Sequence, residues 1–282
     1  MYASFSFNQT NIPDGSAAVF FVAVTSNARE AASSFQSENL NKQENQKLLL
    51  VTMVGVGVIS AWGIIQLDYF SQTPHDKSEG WFANDTKEGV ADKLGHMYIS
   101  YLGTHGFSYL YEKWNVPRDK AAVYGGISSF LILGYMELGD SFSEYGFSYE
   151  DLIANALGSM MGYFLYTSPD LASKIDFRWE YGFEPNGSDF TTDYENSKYL
   201  FALKLNGFTS MQSSFLQHVE LLLGYYQRGF SDLEQEKERN IFLGLGFNLT
   251  DLLYRHSYKK TATILRYIQV PYTYFEYTKD FN

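Results

Sequence analysis

The residues best suited to chemistry in this sequence lie between positions 92 and 155 and combine carboxylates with one histidine, one lysine and one amide. This set, called the polar cluster below, comprises Asp92, Lys93, His96, Glu137, Asp140, Asp151 and Asn155. A histidine together with several carboxylates suits a hard or borderline divalent cation. Such a cation supports metal-assisted hydrolysis, and a histidine beside carboxylates also suits general acid–base chemistry.

The spacing of these residues assigns them in pairs to the faces of helices. The members of each pair are three or four positions apart: Asp92–His96, Glu137–Asp140 and Asp151–Asn155. Residues with these separations share one face of an α-helix. Three helices are therefore expected to present two polar side chains each.

The elements that must position the polar cluster are three predicted helices, at about 91–114, 118–139 and 149–167. Short links join them, so consecutive helices are expected to run antiparallel. Pro117 suits the first turn of the second helix, and Ser148 is the expected N-cap of the third. In an up-down-up bundle the three pairs lie at the same end. We expect them to meet there, with the loop 141–147 over that end.

Three interpretations of the polar cluster stay open at this point. In the first, its carboxylates and His96 form a metal or acid–base centre, with the metal or other cofactor unassigned. In the second, it is a structural ionic knot in which two cations neutralise two carboxylates: Lys93 and His96 against Glu137 and Asp151. In the third, it recognises a ligand such as a lipid headgroup or a peptidoglycan fragment. No member is assigned a catalytic role.

From about residue 175 the hydrophobic period changes to two, which is typical of strands. Five stretches show this alternation: 177–183, 199–205, 219–225, 241–247 and, less regularly, 264–277. They predict an antiparallel sheet with one apolar face, in which Pro271 suits an edge. Alternation also suits a membrane barrel, but bacterial barrels need about eight strands. We therefore expect a sheet packed on the helices, or a partial barrel resting on a bilayer.

An unbroken run of apolar or small residues occupies positions 48–65. Its length is close to that needed to span a hydrocarbon core about 30 Å thick. Lys47 before the run and Asp68 after it favour an uncleaved signal-anchor with a cytoplasmic N-terminus. A cleaved signal peptide is the alternative. The polar, weakly periodic residues that precede the run predict a disordered arm.

Composition excludes several classes of function. The 282 residues carry a formal net charge of −11, which disfavours nucleic acid as a partner because phosphate binding needs a basic surface. The sequence contains no cysteine, which excludes disulfides, thiolate metal sites and cysteine nucleophiles. Aromatic residues make up 18% of the chain, a share that fits aromatic sheet faces or membrane-interface belts.

The polar cluster also carries a family resemblance. Its motifs are Asp92-Lys93-x-x-His96, Gly134 followed by Glu137 and Asp140, and Ser148-x-x-Asp151-Leu152 with Gly158, Gly162 and Tyr163. Together they resemble the YfiM-like family of predicted periplasmic lipoproteins, a domain family of unknown function. Parts of them are similar to VanZ-like membrane proteins. The resemblance implies a Gram-negative envelope location, but without a lipobox cysteine the run 48–65 would have to provide the anchor.

We therefore predict an α+β protein with an N-terminal membrane-anchor helix, a three-helix up-down bundle and a C-terminal antiparallel sheet or partial barrel. The predicted organisation is a disordered arm (1–46), an anchor or signal helix (47–67), a connector (68–90), a helical module (91–170) and a β domain (171–282). The expected function is binding or scaffolding through the polar cluster in the bacterial envelope, on the periplasmic side. Membrane lipid and other envelope components are the expected partners. A metal-dependent hydrolase acting on an envelope lipid or glycan is the alternative, so enzymatic activity stays an open question.

Overall fold

The computed structural model describes residues 16–78, 80–81, 89–182, 193–212, 215–230 and 236–280, and between residues 16 and 40 it describes the backbone alone. The chain forms two compact units, Met1–Leu49 and Leu50–Asn282. Helices and strands that position the polar cluster all belong to the second unit. The α+β class predicted from the sequence is confirmed.

The first helix, α1, is longer than predicted. It runs from Ser16 to Gln66 without interruption. A disordered arm was predicted at 1–46, but residues 16–46 belong to this helix. Residues 1–15 of the predicted arm lie outside the described part of the chain. Six alanines lie between the start of α1 and the apolar run, and the high helix propensity of alanine favours the extension.

Within the described part of the chain, two helices are long and apolar enough to cross a membrane: Asn41–Gln66 within α1, and the helix Arg118–Asp140. Only 11% of the most apolar window of the first is buried, against 44% for the second. The first therefore leaves most of its apolar surface uncovered by the described chain, whereas the second is partly packed inside a bundle.

Three antiparallel helices form that bundle, and they match the predicted ones: α2 Ala91–Lys113, α3 Arg118–Asp140 and α4 Tyr149–Thr167. Pro117 lies directly before α3. The hydroxyl oxygen of Ser148 accepts a hydrogen bond from the Asp151 amide at 3.2 Å, which confirms the predicted N-cap. The later half of α1 packs on α3, where the hydroxyl groups of Ser60 and Tyr135 lie 2.9 Å apart.

The strands form one antiparallel sheet in chain order: β1 Ile175–Tyr181, β2 Ser197–Lys204, β3 Val219–Arg228, β4 Glu238–Phe247 and β5 Tyr274–Asp280. Four agree with the predicted stretches, although Phe183 lies outside the described residues. The fifth prediction, 264–277, is corrected: Ile264 ends a helix, and the strand begins only at Tyr274. Pro271 precedes the strand, consistent with its missing amide donor.

The remaining α-helices of the described chain are short: α5 Pro169–Lys174, α6 Leu249–Arg255 and α7 Lys259–Ile264. The turn after α7 reaches the free edge of β1. The Trp179 amide donates to the Tyr267 carbonyl oxygen, and the Gln269 amide donates to the Trp179 carbonyl oxygen, both at 2.9 Å. The segment that leads into β5 at one side of the sheet thus covers the opposite edge strand.

An aromatic core joins the sheet to α2. The Phe177 and Phe201 rings stack with centroids 4.7 Å apart, and Tyr98 meets Phe177 edge-on at 5.6 Å. Tyr199 and Tyr101 are buried in the same cluster. One face of β1 and β2 therefore packs on the helical module, as predicted for a sheet packed on helices.

Candidate functional site

Lys93 lies at the centre of the polar cluster. Its ammonium nitrogen is 2.8 Å from Oδ2 of Asp92 and 3.0 Å from Oδ1 of Asp151. The side chains of Lys93 and Asp151 retain 4% and 6% of their exposure, so this pairing is shielded from water. The antiparallel bundle brings the start of α2 and the start of α4 together at one end, as the sequence predicts.

His96 occupies the next position on the same helix face. Its Nε2 is 3.6 Å from Asp92 Oδ1, and its Nδ1 is 3.3 Å from Glu137 Oε1 at the end of α3. The structural-knot interpretation pairs Lys93 and His96 with Glu137 and Asp151, without saying which cation contacts which carboxylate. The structure shows the two pairs. His96 contacts Glu137, whereas Lys93 contacts Asp151.

Asn155 and Ser100 extend the cluster into the bundle. The Asn155 amide nitrogen donates to Glu137 Oε1 at 3.2 Å, and the Ser100 hydroxyl donates to Asn155 Oδ1 at 2.9 Å. Both residues are fully buried. This chain of hydrogen bonds joins α2, α3 and α4 directly, because each residue belongs to a different helix.

Asp140 lies at the last turn of α3, beside Tyr69 from the connector. The Tyr69 hydroxyl donates to the Met136 carbonyl oxygen at 3.1 Å, and the ring is buried. An added Cβ at Gly139 would collide with that ring. Asp140 is thus at the side of the cluster that faces the connector.

The connector and the loop 141–147 run together at this end of the bundle. The Lys77 amide donates to the Phe147 carbonyl oxygen at 2.9 Å, and the Phe147 amide donates to the His75 carbonyl oxygen at 3.0 Å. Further along, the Ser78 hydroxyl donates to Glu150 Oε1 at 2.9 Å. The predicted loop at this end is therefore tied to the connector rather than lying free.

Tyr194, between β1 and β2, is a member of the site that the sequence did not indicate. Its hydroxyl donates to Asp92 Oδ1 at 2.7 Å. The two residues are separated by 102 positions, and a tyrosine between two strands carries no local signal of such a contact. Through Tyr194 the polar cluster also contacts the β domain.

Burial and neighbouring charges shift the pKa values of the cluster in different directions. Burial raises the pKa of Glu137 to about 8, against the opposing charge of His96. Burial alone would raise the pKa of Asp92, but His96 and Lys93 hold that pKa well below its usual value. Burial alone would lower the pKa of His96, but the carboxylates of Asp92, Glu137 and Asp151 raise it to about 9. His96 is therefore protonated at neutral pH, and the cluster contains two adjacent cations.

The same geometry can be tested for a metal ion. Asp92, His96 and Asp151 each offer a ligand atom, and these atoms lie within 4.8 Å of one another. However, the Lys93 ammonium contacts both carboxylates of that trio. A metal ligand must also be the neutral form of histidine, whereas the surrounding carboxylates favour the protonated form. The carboxylates of Asp92 and Asp151 suit a cation, and the Lys93 ammonium is the cation that contacts them.

A second buried ionic network lies on the other face of the sheet. Arg178 forms two bonds to Glu220, at 2.7 and 2.9 Å, and donates to Asp176 at 3.0 Å and to Gln269 at 2.9 Å. Lys204 donates to Asp176 at 2.6 Å. Alternation predicted these positions as the polar face of the strands. The pattern identifies these charged positions correctly but does not reveal that their face is buried or that Leu200, Leu222 and Phe242 form an apolar cluster on it.

A family model described as a predicted periplasmic lipoprotein (DUF2279) matches residues 78–167, which contain the polar cluster and α2 to α4. The predicted resemblance to periplasmic lipoproteins is confirmed, and the envelope location agrees with it, whereas no finding supports the similarity to VanZ-like proteins. No curated protein and no solved structure matches the chain.

Proposed function

We propose that this protein is a membrane-anchored scaffolding protein of the bacterial envelope, in which the polar cluster holds the architecture and does not catalyse a reaction. The observation that carries the proposal is the position of Lys93, whose ammonium lies within 3.0 Å of both Asp92 and Asp151. The ammonium and the protonated His96 together balance the charges of the two carboxylates without a metal ion. The matched family, described as a predicted periplasmic lipoprotein, supports the envelope location.

The contacts of the cluster support a scaffolding role. Glu137 and Asn155 join two helices, Tyr194 links the cluster to the β domain, and the Tyr69 ring packs against the last turn of α3. Four separate parts of the chain therefore converge on one buried group of charges. A junction of this kind holds its elements in a single arrangement, which a platform for other envelope components requires.

The apolar part of α1 supports membrane anchoring. The most apolar window within Asn41–Gln66 has a mean hydropathy of 2.3, and only 11% of it is buried. The sequence has no cysteine to carry a lipid, so we assign the anchor to this helix. Membrane lipid is then the first partner of the protein.

The proposal is tested by measuring divalent metal in protein purified without chelator. We expect no stoichiometric ion in the wild type and a lowered melting temperature in His96→Ala, because Glu137 loses its ionic partner. The matched control is His256→Ala, which changes an exposed histidine and should leave the melting temperature unaltered.

A metal-dependent hydrolase is the second candidate, and the close approach of Asp92, His96 and Asp151 favours it. The same experiment separates the two functions. A stoichiometric ion that is present in the wild type and lost in His96→Ala, with the fold intact, would replace scaffolding by metal chemistry. A screen of envelope phosphate esters and glycans would then identify the substrate class.

A further inference from the structure

The apolar face of the sheet is covered on two strands and uncovered on three. On β1 and β2 it packs against α2 through the aromatic core. On β3 to β5 its members are exposed, and we call them the outer apolar face: Leu221, Leu223, Ile241, Leu243, Leu245, Phe247, Phe275 and Tyr277. These side chains are neighbours in the sheet, because Leu221 pairs with Leu245 on the adjacent strand and Leu245 pairs with Phe275 on the next. The result is one continuous apolar surface across three strands.

The opposite face of the same strands is largely buried and carries ion pairs beside a small apolar cluster that includes Leu222 and Phe242. Glu220 is 1% exposed and pairs with Arg178, and Asn240 is 4% exposed. Lys198 crosses beneath the sheet from β2 to contact Glu276 on β5 at 2.9 Å. A sheet in a water-soluble protein buries its apolar face and exposes its polar face. These strands expose apolar side chains on one face and bury charged groups such as Glu220 on the other, as strands in contact with lipid do.

The charges on these strands are sorted by face. On the same face as the outer apolar face, the charged residues of β3 to β5 are Arg239 and Lys279, and both are basic. Arg239 is near the start of β4 and Lys279 is near the end of β5, so both lie at the same end of the sheet. The acidic residues of these strands, among them Glu220, Glu238 and Glu276, alternate onto the other face. Although the protein has a net charge of −11, both charges at outward positions of these strands are basic, while Glu238 and Asp280 are exposed at the same strand ends on the other face. The basic pair complements the phosphates of a lipid headgroup layer.

We infer that the outer apolar face lies against a lipid bilayer, with its side chains among the acyl chains and Arg239 and Lys279 at the phosphates. The contact is face-on rather than spanning, because the far edge of β5 pairs with no strand among the described residues, and hydrocarbon could not satisfy backbone groups at such an edge. Three exposed tyrosines between β4 and β5 in the chain, Tyr254, Tyr258 and Tyr272, suit the headgroup level. The inference rests on the proposed membrane location and adds a second membrane contact to that of α1.

Because the chain has no cysteine, single cysteines can report the environment of each position. The full chain is reconstituted into vesicles of phosphatidylethanolamine and phosphatidylglycerol that contain a doxyl-labelled phospholipid quencher. An environment-sensitive fluorophore is attached in turn to Leu243→Cys and Phe275→Cys on the outer apolar face. Glu236→Cys, exposed in the link before β4, is the water-side control, and Val58→Cys reports α1.

We expect the labels at Leu243 and Phe275 to be blue-shifted and to lose most of their fluorescence to the lipid quencher. The Glu236 label should instead be quenched by aqueous iodide. Quenching at Val58 without quenching at Leu243 and Phe275 would overturn the inference and leave the anchor intact. Labels shielded from both lipid and iodide would also overturn it, since a second protein surface would then cover the face. Loss of lipid quenching at Val58 would instead refute the proposed anchor.

Discussion

At the scale of single residues, the position of one ammonium group decides the chemistry of the polar cluster. Four carboxylates and one histidine form a donor set that suits a divalent cation. Lys93 follows Asp92 directly in α2, and its long side chain reaches Asp151 on α4. The cation that these carboxylates need is therefore part of the chain. Arg178 has the same role between Asp176 and Glu220 in the sheet.

Replacing Lys93 by methionine should destabilise the protein strongly. The apolar side chain retains most of the volume but leaves Asp92 and Asp151 buried without their cation. Removing one partner of a buried ion pair costs about 3–5 kcal/mol. The free energy of unfolding, measured by urea titration in detergent, should fall by this order.

The matched control is Lys260→Met, at an exposed position of α7, which should change the free energy of unfolding by under about 0.5 kcal/mol. Equal stability of Lys93→Met and the wild type would mean that Lys93 is not the internal cation. Stoichiometric metal in the Lys93→Met variant alone would support the role, because the vacated position would then accept an ion.

His96 makes the stability of the protein dependent on pH. Its neighbours Asp92, Glu137 and Asp151 raise its pKa from 6.5 to about 9, against the opposing charge of Lys93. A group whose pKa is raised on folding stabilises the folded state fully below its unfolded pKa. That contribution should therefore decline as pH rises from 6.5 and be lost above about 9.

Unfolding free energies of the wild type and His96→Gln, measured across this pH range, check the prediction. The difference between the two proteins should shrink as pH rises. A constant difference would show that the charge of His96 does not contribute, and that only its volume and hydrogen bonds do.

At the scale of elements, small residues determine how closely the helices of the bundle approach. Gly158 of α4 faces the backbone of α2, where an added Cβ would collide with the Met97 carbonyl oxygen. One turn later, a Cβ at Gly162 would lie 2.7 Å from Cβ of Thr104. Close approach places Asn155 within hydrogen-bonding distance of Ser100. The packing of the shaft thus positions the polar cluster at its end.

Two glycine substitutions separate packing from helix propensity. Gly158→Ala should destabilise the protein by about 1–3 kcal/mol, because overpacking displaces α4 from α2. Gly106→Ala, on the same bundle, should be neutral or stabilising by up to about 1 kcal/mol, since an added Cβ there meets no described atom within 4 Å and alanine favours the helix. Melting temperatures in detergent measure both. A tolerated Gly158→Ala would mean that the α2–α4 contact is looser than described.

At the scale of the whole molecule, apolar surface remains exposed on separate elements. The window in α1 is largely unburied, and the outer apolar face of the sheet is unburied too. Contiguous exposed apolar surface of this kind marks a site of membrane or protein contact. Both features are consistent with a protein of the envelope membrane.

Charges placed in α1 should release the protein from the membrane. Met53 and Val58 are 61% and 62% exposed, near the middle of the apolar run. A lysine at the centre of a membrane span costs about 2.5–3.5 kcal/mol, so Met53→Lys with Val58→Lys should shift the protein to the carbonate-extractable fraction. The conservative pair Met53→Leu with Val58→Ile should stay in the membrane pellet. Retention of the double lysine variant in that pellet would assign the anchor to another element.

The sequence by itself determined the local elements. Periodicity predicted α2, α3, α4 and the first four strands, because regular side-chain alternation follows directly from backbone geometry. Helix-end chemistry at Ser148 and the spacing of Asp92, His96 and Asn155 placed the pairs of the polar cluster. Predictions for the irregular segments were less accurate. The extension of α1 to Ser16 and the short helices α6 and α7 were missed, because these segments have no strong hydrophobic period.

Only the tertiary structure decided which charges pair and which faces are buried. Tyr194 reaches Asp92 from the β domain, and Lys93 contacts Asp151 across two helices. The first contact has no signal in the local sequence, and the second belongs to one of three interpretations that the sequence left open, since distant side chains meet only when helices and sheet are packed. Alternation in a strand likewise separates two faces but does not say which one meets water. That depends on what covers each face, and here the polar face, with Arg178 and Glu220, is the covered one.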